Sequence, residues 1–194
     1  MRNAAKVALL LVDYMNPLAF DGAAQLAPKA MAAAKATVAL KRRCRAARFP
    51  AIYANDNFGR WDSQFDEIVR LCIESGGAAA ALASLLAPEP GDISILKPRH
   101  SAFYGTPLEF LLEERRAETL IVTGLAADSC VLFTALDAFL RNFRVWVPRD
   151  CVASKTIGDR DRALTQMHDA AKVWTGPSRT PLPAAIARCA SLHK

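Results

Sequence analysis

Apolar residues are distributed along the chain in two patterns that alternate from beginning to end. Short, nearly unbroken apolar runs fall at residues 7–14, 51–55, 92–97, 119–125 and 143–148 and predict strands. The run at 119–125, TLIVTGL, has no polar alternation, so it predicts a strand buried on both faces of a parallel sheet. Between these runs, apolar positions recur at helical spacing. They predict helices over 28–47, 64–74, 80–86 after the Gly76-Gly77 break, from Pro107 onward, after Asp128 or Ser129 as cap, and over 159–170. A short sixth strand at 172–175 is predicted at the sheet edge, and a proline-rich tail, 176–194, ends in a short helix from Ala184. This alternation predicts a Rossmann-like α/β fold of three α/β/α layers. Its mostly parallel six-stranded sheet carries helices on both faces, joined by right-handed crossovers.

Composition narrows the class without changing that architecture. At 194 residues and 52% hydrophobic content, the chain supports one sizeable core, so residues 1–194 read as one domain. Five cysteines, at 44, 72, 130, 151 and 189, form no CxxC pair, and their odd number argues against a disulfide framework and for a reducing cytoplasm. The segment MRNAAK is basic, but the apolar run after it stops at Asp13, too short for a signal or a membrane span. Much of the net charge of +6 comes from Lys41, Arg42, Arg43, Arg45 and Arg48, at the C-terminal end of one predicted helix, where cations complement the macrodipole. Without interleaved aromatics or a nucleic-acid motif, that cluster does not predict nucleic-acid binding. No GxGxxG or GxxxxGK[ST] follows a strand, which disfavours a nucleotide-binding module, and Ser129 in AADSCV does not form a GxSxG elbow.

Candidate chemistry gathers at strand ends. Asp13 follows the first strand, Lys97 closes the third, and Cys130 lies just beyond the fourth, at the start of a helix. Parallel strands direct their carboxyl ends to one rim, where residues distant in sequence meet. A lysine and a helix N-terminus lower a thiol's pKa, and a carboxylate can take the thiol proton and return it to a leaving amine. Each residue also has a plainer reading. Cysteine is commonly a small core residue, aspartate a turn former, and lysine a solvated end.

The segments LLLVDYMN, KPRHSAFYGTPLEFLL and TLIVTGLAADSCVLFTALDA, in that order, resemble the signature blocks of the isochorismatase-like cysteine hydrolases. The resemblance implies a catalytic triad of Asp13, Lys97 and the nucleophile Cys130. It also implies a cis peptide between Leu125 and Ala126, and an oxyanion hole from the N–H groups of Ala126 and Cys130. It further implies a small amide or ureido substrate, no membrane partner, and a homo-oligomer, either dimer or tetramer. Nicotinamidases of this superfamily carry metal-binding histidines after the second strand, where this chain reads YANDNFGRWDSQF. Asp56 remains there, but the histidines are His100, His168 and His193, so no metal and no cofactor is expected. Ala127 replaces a threonine of many amidase relatives, and Cys130 separates the chain from true isochorismatases. Asn57, Trp61 and Phe103 are candidate pocket residues, with a loop turn for Asn57 and core packing for Trp61 or Phe103 as the alternatives. A catalytically idle oligomeric binding protein, or a nicotinamidase with an atypical site, are the competing readings.

Overall fold

In the computed structural model, which describes residues 6–192, strands β1 (Val7–Val12), β2 (Ala51–Asp56), β3 (Ile93–Lys97), β4 (Thr119–Leu125) and β5 (Arg144–Trp146) run parallel in the spatial order β3-β2-β1-β4-β5. A two-residue strand, β6 (Val152–Ala153), pairs with the last two residues of β4 beyond the end of β5. The basic residues 1–5 and His193 lie outside the described residues. The central strand β1 is buried along its whole length. Leu9 and Leu11 face one core and Ala8, Leu10 and Val12 the other, which is why its sequence shows no polar alternation. Helices α1 (Ala23–Ala46), α2 (Phe65–Glu74), α3 (Gly77–Leu85) and α7 (Leu182–Leu192) cover the first face. Helices α4 (Leu108–Glu114), α5 (Leu132–Leu140) and α6 (Ile157–Ala171) cover the second. The chain is therefore an α/β protein with a mostly parallel six-stranded sheet between two helical layers. Among the described residues no helix is long and apolar enough to cross a membrane.

Several boundaries differ from the sequence expectation for physical reasons. Helix α1 starts before Pro28 and contains it, because Gly22, at φ 88, turns the chain in and proline's fixed φ is itself helical. The expected edge strand at 172–175 reduces to one bridge between Trp174 and Trp146, since Lys172 at φ 54 ends α6 in the left-handed conformation. The sixth strand is β6, too short for a period to show in sequence. The tail is part of the fold. Its helix starts two residues before Ala184 and buries Leu182, Ala185 and Cys189, while Trp146 Nε1 donates to Gly176 O at 2.9 Å.

The basic cluster at the end of α1 does more than complement a dipole. Buried Lys41 pairs with Asp92 at 2.6 Å and donates to the Tyr53 hydroxyl at 2.9 Å. Arg43 donates to the carbonyls of Ser178 and Thr180, tying α1 to the tail. Arg45 pairs with Glu89.

Candidate active site

The strand order reverses its direction of growth between β1 and β4, so their carboxyl ends flank the crevice where open α/β sheets accept ligands. Asp13 leaves β1 at φ 50, a left-handed turn that aspartate tolerates, with its N–H held by Ala54 O at 3.1 Å. Opposite, Gly124 of β4 pairs with Val12 at φ 132, and a Cβ there would lie 2.0 Å from Val12 O. Only glycine lets the two strands close up at this point. The Leu125–Ala126 peptide that follows is cis. The chain then enters a π-helical turn, Ala127–Val131, in which the Val131 N–H reaches back to Ala126 O at 3.2 Å. This turn replaces the expected capping by Asp128 or Ser129. Asp128 instead exchanges hydrogen bonds with Ser154: its N–H donates to Ser154 Oγ at 3.3 Å, and that hydroxyl donates to its carboxylate. The turn delivers Cys130 to the crevice, half-buried.

Lys97, at the end of β3, is fully buried and reaches across β2 to the same point. Its ammonium stands 2.8 Å from Asp13 Oδ2, 3.4 Å from Cys130 Sγ and 3.1 Å from Arg99 O, so its three N–H groups have three acceptors. Asp56 Oδ2 is further off, at 3.8 Å. The second oxygen of Asp13 accepts the Asp56 N–H at 2.7 Å. Two further residues hold this arrangement, and the sequence reading did not single them out. Asn55 clasps the loop after Asp13, accepting the Met15 N–H at 3.1 Å and donating to Met15 O at 2.9 Å. Buried Tyr14 donates its hydroxyl proton to Cys151 O at 2.8 Å and shares a hydrogen bond of the same length with Thr37 Oγ1. The only sequence signal for Asn55 was an asparagine inside a buried strand, where an amide needs partners.

A family description for the isochorismatase domain matches residues 7–177, from the first residue of β1 into the tail. The chain belongs to the isochorismatase family. It is 38% identical over 165 residues to the isochorismatase family protein YaaI of Bacillus subtilis, covering 85% of this chain and 90% of that one. It is 28% identical over 158 residues to the maleamate amidohydrolase of Pseudomonas putida, covering 77% and 73% respectively. Among solved structures, the N-carbamoylsarcosine amidase of Thermoplasma acidophilum superposes with a TM-score of 0.72 at 28% identity, over 91% of this chain and 98% of that one.

Within this family member, the three residues offered as pocket lining fall in different surroundings. Asn57 is buried, but its Oδ1 accepts the Gly59 N–H at 2.9 Å and its N–H donates to Lys97 O at 3.1 Å, so it shapes the turn after β2. It also lines a cavity of about 240 Å³ together with Phe58, Arg60, Glu67 and Ile68 among others, a lining that includes none of Asp13, Lys97 and Cys130. Trp61 is 83% exposed on the same loop. Phe103 is a core residue. Its ring stacks on Phe143 at 5.9 Å and beneath the Arg141 guanidinium, because the Ser101–Ala102 backbone is pinned to α5. His100, which carried no assignment in sequence, has its Nδ1 3.7 Å from Cys130 Sγ. Among the described residues no group of three or more His, Cys, Asp and Glu is gathered as metal ligands. Asp56, left as a possible ligand, accepts the Phe58 N–H and faces Lys97.

The electrostatics correct one expectation. The Cys130 thiol is not acidified but pushed up to about 12, by burial first and then by the facing Asp13 carboxylate, against the pull of Lys97. Burial likewise raises the Asp13 carboxyl, with Lys97 the chief opposing influence. Burial works to lower Lys97, but attraction to Asp13, Cys130 and Asp56 together raises it, so it stays an ammonium. Burial thus works against charge on both the thiol and the Asp13 carboxyl, while Lys97 stays an ammonium between them. The other four cysteines are also raised, Cys72 to about 11 and the rest to about 12, but they are buried. Accessibility and neighbours, not acidity, set Cys130 apart. Iodoacetamide should therefore label Cys130 selectively in the folded protein. Its rate should climb about tenfold per pH unit from 7 through 10, as the thiolate fraction grows toward a pKa near 12. A labelling rate that levels off below pH 8 contradicts this electrostatic picture.

Proposed function

We propose that the chain is a cysteine amidohydrolase that cleaves a small amide or ureido C–N bond through an acyl-enzyme on Cys130, with no cofactor. The observation that carries this reading is the buried Lys97 ammonium bridging Asp13 Oδ2 and Cys130 Sγ, at 2.8 and 3.4 Å. Relatives named as a maleamate amidohydrolase and an N-carbamoylsarcosine amidase support the bond type. In this mechanism Cys130 Sγ attacks the carbonyl carbon as Asp13 takes the thiol proton. Thiolate is formed only in concert with attack, which fits a thiol that burial holds neutral. The oxyanion is held by the N–H groups of Ala126 and Cys130, each worth about 3 kcal/mol in a transition state of this kind. Asp13 then gives its proton to the departing amine. Its raised pKa makes it a better acceptor of the thiol proton than an exposed carboxylate is, and keeps that proton on it until the amine departs. Lys97 keeps sulfur and carboxylate aligned through both transfers.

A cytoplasmic homo-oligomer, dimer or tetramer, is part of the same reading. The exposed apolar side chains Phe110, Phe133 and Leu140 on α4 and α5 favour such association. The function is tested with a panel of small primary amides and N-carbamoyl compounds, monitored by amine or ammonia release. Turnover of at least one member is expected without added metal. A panel that yields neither turnover nor a covalent adduct favours the idle binding protein.

A further inference from the structure

We propose that His100 is a further catalytic group of this site, carrying the proton in the second half of the reaction, when water releases the acyl group from Cys130. The proposal rests on the cysteine-hydrolase reading above. Four side chains face the sulfur. Lys97 Nζ is at 3.4 Å, His100 Nδ1 at 3.7 Å and Ser129 Oγ at 3.9 Å, with the Asp13 carboxylate beside them. Lys97 and Asp13 form the buried wall. All three N–H groups of Lys97 are engaged, and Asp13 has one oxygen on the Asp56 N–H and the other on Lys97. His100 is exposed, its ring leaning on the half-exposed Phe133 at 5.4 Å between centroids. It therefore stands on the side from which solvent reaches the sulfur.

Its position is built rather than incidental. Lys97 Nζ holds Arg99 O at 3.1 Å on one side of His100. On the other side, Ser101 Oγ donates to Asp137 and the Ala102 N–H donates to Thr134 Oγ1 at 3.0 Å. The backbone on either side is fixed to the triad and to α5, leaving the imidazole to lie against Phe133 with a nitrogen toward the thiol.

The proton balance gives this nitrogen a task. In acylation, the S–C bond forms, the C–N bond breaks, and the thiol proton travels through Asp13 to the amine. In deacylation, a water oxygen bonds to the acyl carbon while His100 Nδ1 accepts the water proton. Collapse of the tetrahedral intermediate breaks the C–S bond, and the imidazolium returns the proton to Sγ. The products are the free acid and a neutral thiol, with no other reactant consumed.

The test compares wild type with His100→Phe, which keeps a ring on Phe133, and with His100→Ala. Amine release in the first turnover and the lifetime of the Cys130 adduct by quenched intact mass are followed on a substrate from the panel. The expected result is first-turnover release within about twofold of wild type, and an adduct living at least about a hundredfold longer. Added free imidazole should shorten that lifetime in His100→Ala, but a purely structural role would show no such rescue. Because the side chain is exposed, both variants should melt close to wild type. An adduct that does not accumulate in the variants overturns the proposal, as does equal slowing of both halves. Failure of the parent reading has a different signature, with no sulfur-bound acyl group in any of these proteins and turnover persisting in Cys130→Ala.

Discussion

Replacement of Cys130 by alanine is expected to reduce turnover of a genuine substrate by at least about a thousandfold while leaving the fold intact. The magnitude follows from the role. Removing the attacking atom eliminates the covalent route, and what remains is orientation and oxyanion stabilisation around the bond. The fold should tolerate the change because the sulfur is half-buried at a crevice, not packed inside either core. Its hydrogen-bonding neighbour Lys97 keeps Asp13 and Arg99 O as partners. The control is a core cysteine. Cys72→Ala removes a buried sulfur from the packing of α2 against the sheet, so it should lower stability by about 1–2 kcal/mol and leave turnover per folded molecule unchanged. Steady-state rates alongside urea unfolding separate the two. A Cys130→Ala protein with activity within tenfold of wild type would remove the nucleophile from the mechanism.

The largest effect on folding is expected at a residue that touches no substrate. Gly124→Ala should destabilise the protein by about 3 kcal/mol or more, enough to leave it largely insoluble or unfolded at physiological temperature. Two independent causes act together. The backbone sits at φ 132, outside the range an L side chain adopts readily, and the new Cβ would lie 2.0 Å from Val12 O and 2.8 Å from Val12 C and N. Those atoms are backbone of the central strand, so relief requires β1 and β4 to part at the end that positions Asp13 and the π-turn. Any soluble fraction should accordingly show displaced triad geometry and reduced activity as well. An unfolding midpoint equal to wild type would show that the two strands separate at little cost.

The readability of the sequence tracked the physical origin of each feature. Buried parallel strands announce themselves by unbroken apolar runs, so β1 and β4 and the layered architecture could be read directly. The rule that strand carboxyl ends share a rim brings Asp13, Lys97 and Cys130 into one neighbourhood from sequence alone. The resemblance to known blocks located the Leu125–Ala126 bond. What could not be read depends on contacts between distant segments. Two residues of β6 have no period. The clasp of Asn55 on Met15, the exchange between Asp128 and Ser154 and the approach of His100 to the thiol are made by loops that the pattern leaves unspecified. Phe103 stands in sequence between pocket lining and core packing, and the contacts that hold Ser101 and Ala102 against α5 decide for the core. The direction in which the Cys130 thiol moves is illegible in sequence for a related reason. Charge partners can be guessed from sequence, but the depth of burial that outweighs Lys97 is a property of the packed molecule.

The central claim is that Cys130 attacks and carries the acyl group. Its most direct test is intact-mass analysis of the protein quenched during turnover of a small amide or ureide, followed by peptide mapping. The account predicts a mass increase equal to the acyl or carbamoyl fragment, located on the peptide containing Cys130 and absent from Cys130→Ala. Robust turnover with no adduct at any quench time, and the same turnover in Cys130→Ala, would contradict it.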